Sequence, residues 1–326
     1  MPSTRDIRRR IKSVGNMKKI TRAMEMASAA KMRKAIEAVL RTRTYANLSW
    51  ETVLHLSQTS NGSNGSEGLH PLLTAKKNAK RIGIILVTSN RGLCGGFNMN
   101  VIKKVHESIK KHQYIGSQIE IEPEIILIGK KGQAVARYYG YKLGAEFPKE
   151  DFVTEVNEVI PIAKFAIDEY LAGNYDKVMV GYTDFVNAAR QVPRVKQLLP
   201  VEVEYEEDHL GIVGEDTRVG IDKKLMDEKK EKHLAKAENV YDYTFEPSPR
   251  EVLDEMVPRL IEVQLFQALL ESNASEHSAR MAAMHQATEA AGDMIDELTL
   301  FYNKARQAGI TREIAEISAG ANALVE

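Results

Sequence analysis

Residues 7–27, Ile7-Arg-Arg-Arg-Ile-Lys-Ser-Val-Gly-Asn-Met-Lys-Lys-Ile-Thr-Arg-Ala-Met-Glu-Met-Ala27, decide the architecture. The apolar or small positions Ile7, Ile11, Val14, Met17, Ile20, Met24 and Ala27 recur every three or four residues. That spacing predicts one face of a helix, close to a coiled-coil seam. Ser3 or Thr4 can cap its start, and Asp6 suits the positive end of the helix dipole. Between Pro2 and Pro71 there is no proline, and Gly15 is the only glycine before Gly62. A helix running to about Ser57 is roughly 80 Å long at 1.5 Å per residue. A small domain is only about 30 Å across, so this helix must leave its own domain or pack on another long helix.

The other end of the chain supplies that second helix. After Pro258 there is no proline, and Gly292 is the only glycine before Gly309. Apolar or small positions recur through Leu260, Leu265, Ala268, Ala279, Ala282, Ala291, Ile295, Leu298, Tyr302 and Ala305, then Ile310, Ile314, Ile317 and Leu324. From Pro249 to Leu324 the run predicts a helix of roughly 110 Å. Its seam is rich in Ala and Ser, which brings backbones close but buries little per residue. An outer partner is expected to support it.

The middle has a different period. Ile82 to Val87 is a buried-strand run followed by the turn-rich Thr88-Ser-Asn-Arg-Gly92. Met99–Lys111 reads as a helix, Glu124–Gly129 as a strand and Gly132–Tyr139 as a short helix. Ile160–Ala172 follows as a helix and Lys177–Thr183 as a strand. This alternation predicts a small α/β domain with a mainly parallel, Rossmann-like sheet. Residues 59–66 read as a flexible loop. Residues 207–240 read as an insertion, with 223–238 as a charged, solvated helix. The expected organisation is therefore 1–58 helix, 59–206 α/β domain, 207–246 insertion and following segment, and 247–326 helix.

Composition narrows the function. The chain has 326 residues, 43% hydrophobic and 28% charged, values typical of a soluble globular protein. Lys plus Arg equals Asp plus Glu, 45 each, so the whole molecule is not a polyelectrolyte. The neutrality hides asymmetry: residues 1–43 carry a local net of +10 and residues 202–255 a local net of −9. The basic arm is either a solvated helix face or a dock for an acidic partner. A single cysteine, Cys94, excludes an intrachain disulfide and a Cys-rich zinc site. The basic start, Met1 to Arg10, lacks the apolar run of a secretory signal, and no run approaches the length of a membrane span.

Candidate chemistry is thin. Gly92-Leu-Cys-Gly-Gly96 follows a strand, but lacks both the Gly-Lys-Ser/Thr ending of a P-loop and a full G-x-G-x-x-G. A tight turn explains it better than a nucleotide cradle. Cys94 has no local signature of a nucleophile and reads as a packing thiol. His277 and His285 lie near one helical face, without further ligands for a metal. No catalytic constellation, and no cofactor, is expected.

Four segments carry a resemblance. They are Ile7-Arg-Arg-Arg-Ile-Lys-Ser-Val14 with Lys19 to Met26 and Ala30-Lys-Met-Arg33; Thr88 to Asn98; Glu276-His-Ser-Ala-Arg-Met281 with Leu298 to Arg306; and Ile310-Thr-Arg-Glu-Ile-Ala-Glu-Ile-Ser-Ala-Gly-Ala-Asn-Ala323. In order and spacing they closely resemble the gamma subunit of F-type ATP synthases, over nearly the whole chain.

The resemblance implies a rotor shaft that does no bond chemistry. Its terminal helices would form an antiparallel coiled coil inside a ring of alpha and beta subunits. Its α/β domain would sit with the epsilon subunit on the c-ring, at the cytoplasmic face of a bacterial inner membrane, touching the membrane only through the complex. By motif, Met24, Arg280, Gln307, Thr311 and Glu313 match positions facing the alpha–beta hexamer. Tyr243 and Glu246 match the foot region facing the c-ring and epsilon. Ala27 and Gly96 depart mildly from the family pattern, where valine and alanine are common. The 207–240 insertion is longer than in many bacterial relatives and has no cysteine, so thiol regulation is not implied; a passive loop and an inhibitory or epsilon-contacting element both stay open. Two rivals make different predictions. A nucleic-acid binder using residues 1–43 would show steep salt dependence, and a nucleotide enzyme using 92–96 would bind nucleotide as the isolated chain.

Overall fold

The computed structural model describes residues 3–61, 70–74, 76, 79–115, 121–149, 156–201, 217–218, 221–222, 246 and 249–323. The chain divides into two compact units, one of residues 1–29 with 280–326 and one of residues 30–279. Two long helices run through both: α1, Thr4–Asn61, of 58 residues, and α5, Pro249–Ala323, of 75. Both match the long proline-poor runs at the chain ends. The start of α1 is capped as the sequence suggests. Ser3 Oγ accepts from the backbone N–H of Asp6 and donates to its carboxylate at 2.6 Å. Most of the loop expected at 59–66 lies outside the described residues, and 59–61 belong to α1. The charged helix expected at 223–238 also lies outside them.

The larger unit is built on a five-stranded sheet. Its strands are β1 (Arg81–Val87), β2 (Glu122–Ile128), β3 (Lys142–Phe147), β4 (Lys177–Phe185) and β5 (Gln191–Leu199). Their order is β3-β2-β1-β4-β5, parallel except for the antiparallel β4–β5 pair. A separate pair of two-residue strands, Thr217–Arg218 and Ile221–Asp222, lies within the insertion. The sequence reading missed β3 and β5. Both are edge strands, and neither is a continuous apolar run: β3 is mostly exposed, and β5 carries Pro193, Arg194 and Lys196. A proline is tolerated on such an edge.

The central strands are buried on both faces, as a covered parallel sheet requires: Ile84, Ile85, Leu86, Ile125, Ile126 and Leu127 are all at 2% exposure or less. One face packs α2 (Phe97–Ile115) through Val101, Ile102, Val105 and Ile109. The other packs α4 (Ile160–Leu171) and the first part of α5, through Val257, Leu260, Ile261, Leu265 and Leu269. Val39 of α1 joins this second core. A short helix, α3 (Gln133–Tyr139), follows β2. Gly129 sits at φ 95°, and a Cβ there would lie 2.4 Å from the Thr88 carbonyl oxygen. Only glycine lets the ends of β1 and β2 approach so closely.

At the amino ends of the strands, Asp176 ties β1 to the start of β4. Its carboxylate accepts from the backbone N–H groups of Lys80 and Arg81 and from the Arg81 guanidinium. Burial alone would raise its proton affinity. The hydrogen bonds and charge of Arg81, with the Lys80 N–H, outweigh burial and hold its pKa at about 2, below the ordinary 3.8. A carboxylate with a depressed folded pKa stabilises the fold above its unfolded pKa, and that support is lost as pH falls from about 4 toward 2. Asp176→Asn is predicted to cost about 2 kcal/mol at neutral pH. The gap between variant and parent urea midpoints should narrow below about pH 4 and close toward pH 2.

Candidate functional site: a helix pair and its exposed apolar face

In the smaller unit, α1 and α5 run antiparallel. Arg8 donates to the Tyr302 hydroxyl and lies over that ring. Further along, Thr288 Oγ1 donates to Thr21 Oγ1 at 2.8 Å, and His285 Nδ1 lies 3.2 Å from a Glu25 carboxylate oxygen. A Cβ on Gly292 would lie 2.9 Å from the Lys18 ammonium. Each advance along α1 is matched by an almost equal retreat along α5, so the pairs fix one antiparallel register.

The buried line of α1 here is Ile7, Thr21 and Ser28, with Ile11, Val14 and Met24 partly covered. The line of α5 is Met284, Thr288 and Ala291, with Ile295, Leu298, Tyr302 and Ala305 partly covered. Both follow a seven-residue repeat, as in a coiled coil. The α5 seam agrees with the sequence reading from Ala291 to Ala305, but Ala282, Ile310, Ile314 and Ile317 of the expected pattern are exposed, and Leu324 lies outside the described residues. The α1 seam corrects it: Met17 and Ile20 are each 57% exposed and Ala27 is also exposed, while the polar Thr21 and Ser28 are inside. The apolar stripe read from residues 17 to 27 mixes two faces. The repeat Ile7, Val14, Thr21, Ser28 was available as a signal, but two of its four members are hydroxyl residues.

Because Arg8 meets Tyr302 and α1 begins at Thr4, α5 runs beyond its partner after about residue 306. Residues 306–319 are exposed throughout. Ile310, Ile314 and Ile317 are spaced to form one stripe on this tip, at 46%, 61% and 72% exposure. Gln307, Thr311 and Glu313 are exposed on the same tip, and Thr311 Oγ1 donates to the Gln307 carbonyl at 2.9 Å. Met24 is partly buried beside Glu25, and Arg280 is 8% exposed. Arg280 is separated from Gln307 by 27 residues, about 40 Å of helix, so the two mark different levels of α5. Glu246 is an exposed bend residue, and Tyr243 lies outside the described residues. The exposed charges of the arm include Arg5, Arg9, Arg10, Lys12, Lys18, Lys19 and Arg22.

The glycine-rich segment 92–96 is a closed turn. Leu93 and Gly95 take φ 63° and 54°, and Cys94 is buried at 2%. Asn98 accepts from the Ser89 N–H at 2.9 Å and donates to the Ser89 hydroxyl at 2.7 Å and to Cys94 Sγ at 3.3 Å. In open α/β sheets ligands bind outside the carboxyl ends of the strands, where the strand order reverses. In this chain α5 lies along that edge: Ser275 Oγ donates to the Thr183 carbonyl at 3.1 Å, and Lys149 Nζ is 2.6 Å from Glu276 Oε2. Sequence reasoning quoted Glu276 only as part of a motif and passed over Lys149. Among the described residues no group of three or more His, Cys, Asp or Glu could hold a metal ion.

The ATP synthase family model matches residues 3–324. The chain is 38% identical over 324 residues to the ATP synthase gamma chain of Legionella pneumophila, covering 99% of this chain and all of that one. This chain belongs to the ATP synthase gamma chain family. It is also 41% identical to the gamma chain of Pelotomaculum thermopropionicum, over 99% of this chain and all of that one, and 40% identical to that of Roseiflexus castenholzii over both whole chains. The gamma-chain fold is seen again in two solved structures. A chain of the Euglena gracilis mitochondrial ATP synthase, in its OSCP, F1 and c-ring assembly, matches with TM-score 0.58 at 17% identity, over 98% of this chain and 94% of that one. A chain of the Tetrahymena thermophila mitochondrial ATP synthase central stalk and c-ring matches with TM-score 0.53 at 20% identity, over 82% and 99%.

The helix register of this gamma-chain family member can be tested directly. Thr21→Cys with Thr288→Cys is predicted to cross-link on mild oxidation, because the two hydroxyls already touch. Met17→Cys with Thr288→Cys should stay reduced. Equal cross-linking of the two pairs, read on a denaturing gel, would overturn the register.

Proposed function

We propose that the chain is the central rotor shaft of an F-type ATP synthase. The observation that carries this reading is a helix pair that, beyond the side chains in its seam, turns Met17, Ile20, Ile310, Ile314 and Ile317 outward. Each large aliphatic side chain gains about 2 kcal/mol when fully buried. A row of them on an unpaired helix tip is favourable only inside an apolar sleeve, and the alpha–beta hexamer is that sleeve. The bearing holds the shaft mainly by non-directional contact. Such contact can persist while the shaft turns.

Coupling needs contacts that differ between angular states. A rotor shifts the population of beta-site conformations only by its differential interactions with them. Met24, Arg280, Gln307, Thr311 and Glu313 supply groups that meet different beta subunits at different angles. The basic face from Arg5 to Arg22 complements acidic surfaces of beta. Exposed ion pairs are individually weak and screened, so they steer without locking. Glu246 and Tyr243 are the positions that contact the c-ring and epsilon. Proton flow turns the c-ring, the shaft turns with it, and beta does the bond chemistry, so the shaft is non-catalytic. The relatives named above from Legionella, Pelotomaculum and Roseiflexus are bacterial. Among the described residues no helix is long and apolar enough to cross a membrane. Both fit a peripheral subunit at the cytoplasmic face of a bacterial membrane.

A tagged chain recovered from washed membranes is predicted to bring down alpha and beta subunits and ATP hydrolysis. Recovery of the chain alone, or with nucleic acid, would contradict the reading. Within the recovered complex, Arg280→Ala is expected to lower coupled ATP synthesis about tenfold, the effect of losing one charge-assisted hydrogen bond. Unchanged synthesis would remove Arg280 from the coupling set.

A further inference from the structure

The first part of α5 is held on the sheet by two kinds of packing. From Leu260 to Leu270 the inward side chains are Leu260, Ile261, Leu265, Ala268 and Leu269, all at 2% exposure or less. From Glu271 to Ser278 every side chain is also buried, yet only Ala274 is apolar. Adhesion alone would favour apolar residues there, since buried polar groups cost free energy unless they are hydrogen-bonded. Ser275, Glu276 and Ser278 of this stretch are bonded directionally to the sheet domain.

The bonds of this segment reach both flanks of the sheet. Glu276 meets Lys149, which follows β3, and the side chains of the pair are 9% and 2% exposed. Lys149 is itself fixed, because its carbonyl accepts from the Asn90 amide and its ammonium lies 5.9 Å from the centre of the Phe97 ring. Toward the other flank, Ser275 Oγ donates to the Thr183 carbonyl of β4 at 3.1 Å. Ser278 Oγ donates to the Ala188 carbonyl at 2.7 Å and accepts from the Gln191 amide at 3.2 Å. With 3.6 residues per turn, positions 278, 275 and 276 fan over about 160° of the helix circumference. Turning α5 about its axis in either direction therefore strains at least one bond.

We propose that Lys149 and Glu276 are positioning residues that lock the angular setting of α5 on the sheet, so that torque applied to the sheet domain enters the helix without slip. This rests on the rotor reading. It also gives the buried part of the Glu276-His-Ser-Ala-Arg-Met281 motif a mechanical role distinct from contact with beta.

The test separates the lock from mere stability. Replacing a buried ion pair by apolar residues of similar volume is often neutral or stabilising, whereas removing one partner is destabilising. In the membrane-bound complex, Lys149→Met alone should lower the melting temperature and the coupling together. Lys149→Met with Glu276→Leu is expected to melt within about 3 °C of the parent and to hydrolyse ATP, yet to pump fewer protons per ATP. Ser275→Ala with Ser278→Ala should shift the ratio the same way, because alanine suits a helix and only the hydroxyl bonds are lost. Parental pumping per ATP in the apolar double variant, once its stability is regained, overturns the lock. Where that variant melts early, parental pumping in the serine double variant overturns it instead. A parent chain that fails to co-purify with alpha and beta is a failure of the rotor reading, and the lock falls with it.

Discussion

Four of the six buried positions in the seam of the helix pair, Thr21, Ser28, Thr288 and Ala291, are small or hydroxyl residues, beside Ile7 and Met284, so the middle of the seam adds little hydrophobic stability. Hydrophobic gain scales with apolar area removed from water, about 25 cal/mol per Å². Hydroxyls and methyl groups supply little of it. Meanwhile larger side chains of the same helices, Met17, Ile20, Leu300 and Phe301 among them, are more than half exposed. At the middle of the pair small residues lie between the helices, while several large ones point outside. This arrangement leaves large apolar side chains on the outside of the helix pair, the surface that the proposed rotor would turn within its surroundings.

The sheet domain answers a different demand. Its strands are buried on both faces, its edges are mixed, and its two cores hold α2 on one side and α4 with α5 on the other. In many doubly wound sheets the carboxyl edge is left open for a ligand. Here α5 lies along it with bonds to Thr183, Ala188 and Lys149. A fold often used to bind nucleotides serves instead to grip a helix, in a family whose name refers to nucleotide synthesis. Fold and function separate, as they commonly do.

The two long helices were legible because proline and glycine are absent over long spans and the periodicity is sustained. The central strands were legible because Ile82 to Val87 is a run too apolar for any exposed element. The edge strands were not, since Lys142, Glu146, Arg194 and Lys196 give them no continuous apolar signature. The seam was read a face away at Met17 and Ile20 because hydrophobicity marks burial only when the partner is within the same chain. In a subunit of a larger assembly, an exposed aliphatic residue can be core of the complex. Lys149 was invisible for a related reason: its partner lies 127 positions away, and no local pattern links a loop lysine to a helix glutamate.

Rotation itself is the most direct test of the account. The alpha–beta assembly would be fixed to a surface through beta, and a probe attached to a cysteine at Leu171, an exposed position on α4 of the sheet domain. On addition of ATP the account predicts unidirectional turning with stops matching the number of beta sites. A probe that stays still while ATP is hydrolysed, or moves equally in both directions, would contradict it.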